Sequence, residues 1–328
     1  MTEPEPQLRI ENLEISFKVY RGVLKVVDGV NLEVQPGQRV GLVGESGCGK
    51  TTCGRCIVRQ VKPTSGRILF SSTRLGRTID LHAAPEKERS MAGREAQMIF
   101  QNPGAALNPV FTIGDQMRAA IRYGSRENVA GRGILAKAKA AIKEVQIADV
   151  DRILRSYPFQ LSGGMRQRVC IAMALATEPS FLIADEPTTA LDVTVQDQIL
   201  KLLRSLVERR DTGIIYITHN LGVVREIAEL VYVMYAGTIV EAGPPSMLFD
   251  EPVHPYTCGL MESVPRLTGV GFSKGIAGSI PNYLVPPPGC RFAPRCDRAI
   301  DICREKKPEI REIDNGRRVA CFVTGGNP

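Results

Sequence analysis

No stretch of this sequence approaches the roughly 18 uninterrupted apolar residues that a membrane span needs, so the chain is not expected to cross a bilayer itself. The first residues, Met1-Thr-Glu-Pro-Glu-Pro6, offer neither a basic n-region nor an apolar h-region, which argues against a secretory signal there. Lys and Arg number 42 against 35 Asp and Glu, a net charge of +7, yet no block of five or six basic residues occurs. The excess therefore reads as a generally basic surface, not a nucleic-acid patch. No internal repeat is visible. The cysteines near the C-terminus lack the paired Cys-x2-Cys knuckles that signal zinc most strongly. These absences predict a cytosolic protein that, if it serves a membrane process, docks on another protein.

What is present suits a globular core: 328 residues, 43% hydrophobic and 23% charged. Leu8 to Val19 and Val23 to Val34 carry the β-branched patterning of strands, and Arg39 to Val43 is a short buried strand. Thr51 to Gln60 reads as a helix, and Arg67 to Phe70 and Ala96 to Phe100 as strands. Strand composition returns at Phe181 to Ala184, Gly213 to Thr218 and Leu230 to Tyr235 with helical segments between, which implies a mostly parallel sheet. A helical subdomain is expected over about 113–158, inserted into that sheet. Past Pro252 the composition changes to proline, glycine and spaced cysteines. The expected division is thus a main domain, 1–252, and an irregular appendage, 253–328.

Three runs carry the chemistry. Gly44-Glu-Ser-Gly-Cys-Gly-Lys-Thr51 follows a strand and precedes a helix, the context a phosphate-binding loop requires. Its glycines let successive backbone N–H groups turn inward around an anion, at the positive end of a helix. Lys50 is expected to reach the β- and γ-phosphates, and the Thr51 hydroxyl to hold Mg²⁺. Phe181-Leu-Ile-Ala-Asp-Glu186 ends an apolar strand in two carboxylates. Asp185 is suited to contact Mg²⁺ and Glu186 to polarise an attacking water or accept its proton. Between these runs stands Leu161-Ser-Gly-Gly-Met-Arg-Gln-Arg168, where Ser162 and the N–H groups near Gly163 and Gly164 open a helix and offer donors to an anion.

The three runs together, in this order, resemble the ATP-binding subunit of an ABC transporter. The resemblance implies an α/β fold: a P-loop nucleotide-binding domain with a mostly parallel sheet, an N-terminal antiparallel β subdomain and an inserted helical subdomain. It implies that Gly44, Glu45, Ser46, Gly47, Cys48, Gly49, Lys50, Thr51 and Thr52 bind ATP. Gln101 matches the Q-loop glutamine, implying a contact to Mg²⁺ or the attacking water. His219, in Ile217-Thr-His-Asn220, matches the switch histidine that bonds the γ-phosphate, and Asp192 closes the D-loop. Phe17, with Tyr20 close behind, is the candidate to stack on adenine. Leu161, Ser162, Gly163, Gly164 and Met165 form the signature, which in the family binds the ATP held by a facing subunit. Met165 stands where the family usually has Gln.

The outer segments are more specific. Gln101-Asn-Pro-Gly-Ala-Ala-Leu-Asn-Pro109, Phe111-Thr-Ile-Gly-Asp-Gln116, His254-Pro-Tyr-Thr257, Gly278-Ser-Ile-Pro281 and Pro286-Pro-Pro-Gly-Cys290 are similar to the oligopeptide/dipeptide importer branch, closer to its D-type ATPase. The implied partners are two transmembrane permeases, a second homologous ATPase in a head-to-tail pair, and, indirectly, an extracytoplasmic solute-binding protein, with no nucleic acid. The implied location is peripheral, on the cytoplasmic face of the cell membrane. Importers of nickel, glutathione or sugars share the branch. Soluble relatives acting on DNA or the ribosome are the rival class, but only about 60 residues separate Gln101 from Leu161, too few for a long coiled-coil insertion.

Cys290, Cys296, Cys303 and Cys321 are separated by gaps of five, six and seventeen residues. Four thiolates can hold a [4Fe–4S] cluster or tetrahedral zinc. The resemblance favours the cluster, which would make the tail a small irregular, metal-stapled domain. Cys48, Cys53, Cys56, Cys170 and Cys258 read instead as small buried or incidental residues.

Overall fold

Long strands with β-branched residues on one face open the chain. In the computed structural model, which describes residues 5–125, 131–189, 191–263, 275–314 and 316–324, the strands are β1 (Leu8–Val19), β2 (Gly22–Val34), β3 (Arg39–Val43), β4 (Ser65–Ser72), β5 (Arg77–Asp80) and β6 (Ala96–Ile99), followed by β7 (Phe181–Asp185), β8 (Gly213–Thr218), β9 (Leu230–Tyr235), β10 (Thr238–Gly243), β11 (Arg311–Asp314) and β12 (Arg317–Val319). Ala190, within the expected D-loop, lies outside the described residues, as do Met1 to Pro4. The chain divides into two compact units. One comprises residues 8–34, 39–69 and 215–328, the other 1–7, 35–38 and 70–214.

In the first unit β1 and β2 pair antiparallel, from Leu8 opposite Val34 to Val19 opposite Gly22. A mixed sheet follows. β3 lies parallel to β9, β9 antiparallel to β10, and β10 antiparallel to β12, on which β11 pairs in turn. The tail is therefore not irregular throughout, as its composition suggested: Val319 and Arg318 pair with Glu241 and Ala242. Strands of four and three residues are too short to show a period. The core beneath this sheet joins Val43 of the phosphate-loop strand, Val231 and Val233 of β9, and Tyr256 and Phe292 of the tail. Tyr235, Tyr256 and Phe292 pack pairwise in tilted and edge-to-face pairs with ring centres 4.6, 5.0 and 5.5 Å apart, a preferred aromatic range.

In the second unit β6 lies parallel to β7. Helices Ile113–Gly124, Gly131–Glu144 and Val150–Arg155 occupy the region expected to be helical. Ile113, Met117 and Ile121 recur every four residues and are buried, one stripe of an amphipathic helix. Thr112 and Asp149 cap two of these helices with side-chain oxygens. Among the described residues no helix is long and apolar enough to cross a membrane.

One buried pair has a measurable pH signature. His254 caps the helix Pro255–Glu262 by accepting the Tyr256 N–H at Nδ1, 3.0 Å away, and donates its own N–H to the buried Glu241 carboxylate. Burial pushes the His254 imidazole down to about 3 and the Glu241 carboxyl up. Unfolded, His254 takes a proton near its ordinary value of 6.5 while the folded side chain stays neutral. Its contribution to stability is thus lost as pH falls from about 6.5 towards about 3, by about 1.4 kcal/mol per pH unit. Glu241 acts with the opposite sign and is common to both proteins compared. Urea titrations at pH 7.5 and 5.5 are expected to show a loss in the wild type that is about 1.4 kcal/mol smaller in His254→Asn, which keeps a capping acceptor without the titration. Equal losses would mean that His254 is protonated in the fold.

Candidate active site

The loop Gly44 to Gly49 leaves β3 and runs into the helix Lys50–Ile57. Gly44 has φ 149°, and a Cβ there would lie 2.0 Å from the Met234 carbonyl oxygen, so no other residue fits. Gly49 caps the helix at φ 108°, where a Cβ would approach the Val26 carbonyl to 3.2 Å. Lys50 is 5% exposed, and its ammonium donates to the Gly44 and Glu45 carbonyls at 2.7 and 2.9 Å. The cation is thus held against the loop by carbonyls of the loop itself. Thr51 and Thr52 follow in the first turn. Phe17 is exposed near the end of β1 and pairs with Leu24, two residues before Val26, while Tyr20 lies in the fully exposed turn beyond. His219 is exposed just past β8, next to Asn220, which caps the following helix.

The second unit brings Gln101 and Glu186 together although 85 residues separate them. Gln101 Nε2 donates to Glu186 Oε2 at 2.7 Å, and Thr189 Oγ1 donates to the same oxygen at 2.9 Å. Glu186 has φ 44°, a left-handed conformation that is uncommon outside glycine and clusters at functional sites. The turn fixes the carboxylate where two donors polarise one oxygen. Asp185 is 2% exposed at the end of β7. Ser162 caps the helix Gly163–Leu175 by accepting the Met165 N–H at 3.3 Å, with Leu161 buried beside it. Asp192 likewise caps the helix Val193–Arg210 through the Val195 N–H.

Three further contacts to the phosphate loop come from the tail and were not expected. The Glu45 N–H donates to the Tyr256 hydroxyl at 2.9 Å, and the Tyr283 hydroxyl donates to the Gly47 carbonyl at 2.8 Å. Arg295 forks onto the Glu45 carboxylate, Nη1 to Oε2 at 2.8 Å and Nη2 to Oε1 at 3.1 Å. Tyr256 falls in the His254-Pro-Tyr-Thr257 motif, but nothing local announces that it, Tyr283 or Arg295 reaches the phosphate loop. The only sequence signal is a cluster of aromatic and arginine residues in a segment otherwise rich in proline and glycine.

The four tail cysteines line one small cavity, together with His254 and Phe292. Its volume of about 10 Å³ is room for about one water molecule. Among the described residues no three Cys, His, Asp or Glu side chains stand in a metal-binding arrangement. Thiols are nonetheless the donor type that soft metals select. Four thiols face one mainly apolar pocket, and burial holds Cys290 up to about 11 and raises Cys296. Loading that pocket would require deprotonation. Cys53, Cys56 and Cys170 are buried and pushed up to about 12, as inert core residues should be.

Residues 27–189 match the ABC transporter family, and residues 240–303 match the oligopeptide/dipeptide transporter C-terminal region. The oligopeptide transport ATP-binding protein AppD of Bacillus subtilis (strain 168) is 42% identical over 96% of both chains. The dipeptide transport ATP-binding protein DppD of the same strain is 42% identical over 97% of this chain and 95% of its own. The chain belongs to the ABC transporter family. Among solved structures, the ATP-binding cassette MJ0796, a dimer in a post-hydrolysis state with ADP and Pi, aligns with a TM-score of 0.64 and 27% identity over 73% of this chain and 98% of its own. The fold is the α/β P-loop fold of ABC ATPases, and the family's reaction, ATP hydrolysis with Mg²⁺, is the chemistry of this chain.

The loop geometry makes one substitution decisive. Gly44→Ala is expected to lower affinity for MgATP by about two orders of magnitude, because its Cβ displaces either the loop or the β9 backbone. A titration with a fluorescent ATP analogue measures this, and wild-type affinity would show that the loop does not need this conformation to bind.

Proposed function

We propose that this chain is the energy-coupling ATPase of an importer for di- or oligopeptides. The observation that carries this reading is the match of residues 240–303 to the oligopeptide/dipeptide transporter C-terminal region, beyond the part common to ABC ATPases. The relatives named as oligopeptide and dipeptide ATP-binding proteins support it over nearly the whole chain. On this reading the working division is an ATPase domain, 1–252, and an importer-type tail, 253–328. The chain docks under two permeases on the cytoplasmic face of the membrane, pairs head-to-tail with a second ATPase, and receives cargo from a solute-binding protein outside.

The residue roles follow from chemistry and motif. The N–H groups of Gly44 to Gly49 and the ammonium of Lys50 bind the phosphates, with Phe17 under the adenine. Thr51, Asp185 and Gln101 serve Mg²⁺. Glu186 polarises the attacking water, and its bond from Gln101 links that carboxylate to the segment expected to sense the permease. His219 bonds the γ-phosphate. Leu161 to Met165 engage the facing subunit's nucleotide, and Asp192 belongs to the same interface. ATP becomes mechanical closure because two chains contribute its ligands.

Cys290, Cys296, Cys303 and Cys321 are proposed to hold a [4Fe–4S] cluster, with zinc as the alternative. Support comes from the four thiols lining one cavity. As they stand, the walls leave room for about one water molecule, so either group requires them to move. The bound group would supply cross-links between thiols, and the hydrolysis needs no electron from it.

Two experiments test these assignments. Glu186→Gln is expected to retain ATP binding, accumulate as a closed dimer, and lose hydrolysis by about 10²- to 10⁴-fold. Turnover near wild type would remove Glu186 from the reaction. Protein purified anaerobically is expected to be brown, to absorb near about 400 nm and to carry about four iron atoms per chain. Stoichiometric zinc without iron would replace the cluster by the alternative.

A further inference from the structure

The tail reaches back across more than 200 residues to touch the phosphate loop three times, and each contact addresses a different group. Tyr256 takes the Glu45 N–H, Tyr283 gives its proton to the Gly47 carbonyl, and Arg295 binds the Glu45 carboxylate through both terminal nitrogens. None of the three is incidental. The Arg295 side chain is 6% exposed. Its remaining donors go to the Ile276 and Ala277 carbonyls, and its guanidinium lies 5.6 Å from the Tyr235 ring centre. The bond from Glu45 holds this guanidinium even more firmly protonated than usual. Tyr256 and Tyr283 also belong to, or pack on, the core that contains Val43, the last residue before the loop.

A second feature ties the same contacts to the cysteines. Arg295 ends a short turn, Ala293–Arg295, that is closed by Cys290 on one side and Cys296 on the other. The Ala293 N–H donates to the Cys290 carbonyl and the Cys296 N–H to the Ala293 carbonyl. The Cys290 N–H in turn donates to the Cys303 carbonyl at 2.7 Å. Two of the four thiols therefore sit at the ends of the turn that aims Arg295 at Glu45.

We propose that the tail is a brace for the phosphate loop: Tyr256, Tyr283 and Arg295 are positioning residues for nucleotide binding. None of the three is a catalytic residue. They act by holding a loop of glycines, Gly44, Gly47 and Gly49, in the left-handed conformations that turn its N–H groups inward. Those glycines carry a high conformational entropy in the absence of a brace. The proposal rests on the ATPase assignment.

The test is equilibrium binding of a fluorescent ATP analogue with Mg²⁺ to the full chain, purified anaerobically, with binding stoichiometry and metal content recorded for each variant. Arg295→Met is expected to raise Kd about tenfold, and Tyr283→Phe about threefold, at an unchanged stoichiometry of one. Arg295→Lys, which keeps the charge and loses the fork, is expected to recover part of that loss. Combining Arg295→Met with Glu45→Gln is expected to add little to the worse single variant, because both remove one contact. A merely structural role would lower the stoichiometry and leave Kd alone. Tyr283→Phe loses a single hydroxyl and keeps the test valid if Arg295→Met does not fold. Wild-type Kd in Arg295→Met and Tyr283→Phe would overturn the brace.

Discussion

A backbone that presents several N–H groups to one anion must hold conformations that ordinary residues avoid, and this constraint shapes the first unit of the molecule. At Gly44 the solution is forced by the Met234 carbonyl, which leaves no volume for a side chain. Glycine permits the shape but does not enforce it, since its freedom must be surrendered on ordering. Something else must hold the loop. The neighbours recruited for that purpose are the turn after β9, whose Gly237 N–H donates to the Cys48 carbonyl at 2.8 Å, and the tail.

The strongest of these contacts is ionic, with Arg295 buried and Glu45 partly so. Bidentate arginine–carboxylate bonds are shorter and more directional than neutral ones. A buried charge without its partner is costly, so Arg295 and Glu45 constrain each other. The same economy appears at Arg291, 5% exposed, which donates to the Lys25 and Ala236 carbonyls and pairs with Asp28. Two arginines on one short segment of the tail thus gather β2, the end of β9 and the phosphate loop. The segment has little apolar surface of its own beyond Phe292 and Ala293. Its position is set by directed polar bonds more than by burial, which explains how a stretch so rich in proline and glycine is ordered.

The positions of most candidate site residues on their elements were legible from local sequence, because phosphate loops and helix caps need fixed residue types at fixed short spacings. Lys50 at a helix start, Asp185 at a strand end and Ser162 as a helix cap all follow from that rule. The antiparallel pair β1 and β2 and the buried strands β7, β8 and β9 were legible for a related reason, since burial writes a period or an apolar run. The bond between Gln101 and Glu186 was not, because it depends on where two separate strand ends arrive. Nor were β11 and β12, whose few residues leave no pattern. The reading of the tail as an appendage failed to foresee its contacts for the same reason. Arg295, Tyr256 and Tyr283 act through isolated long-range contacts, and an isolated long-range contact leaves no trace in spacing.

The distribution of aromatic residues shows what the composition alone concealed. Phe and Tyr together make up only 5% of the chain, with no Trp, so large rings are scarce material. Five of them, Tyr235, Phe249, Tyr256, Tyr283 and Phe292, lie in or against one core that includes Val43, the last residue before the phosphate loop. Three are tyrosines, which combine a large buried face with one polar tip. Two of those tips are spent on the loop, and the third lies 3.4 Å from Arg295. A phenylalanine core would bury as much area and leave the Glu45 N–H and the Gly47 carbonyl without these partners. The choice of tyrosine therefore answers to the loop rather than to the core, and it binds the region that packs the tail to the region that holds phosphate.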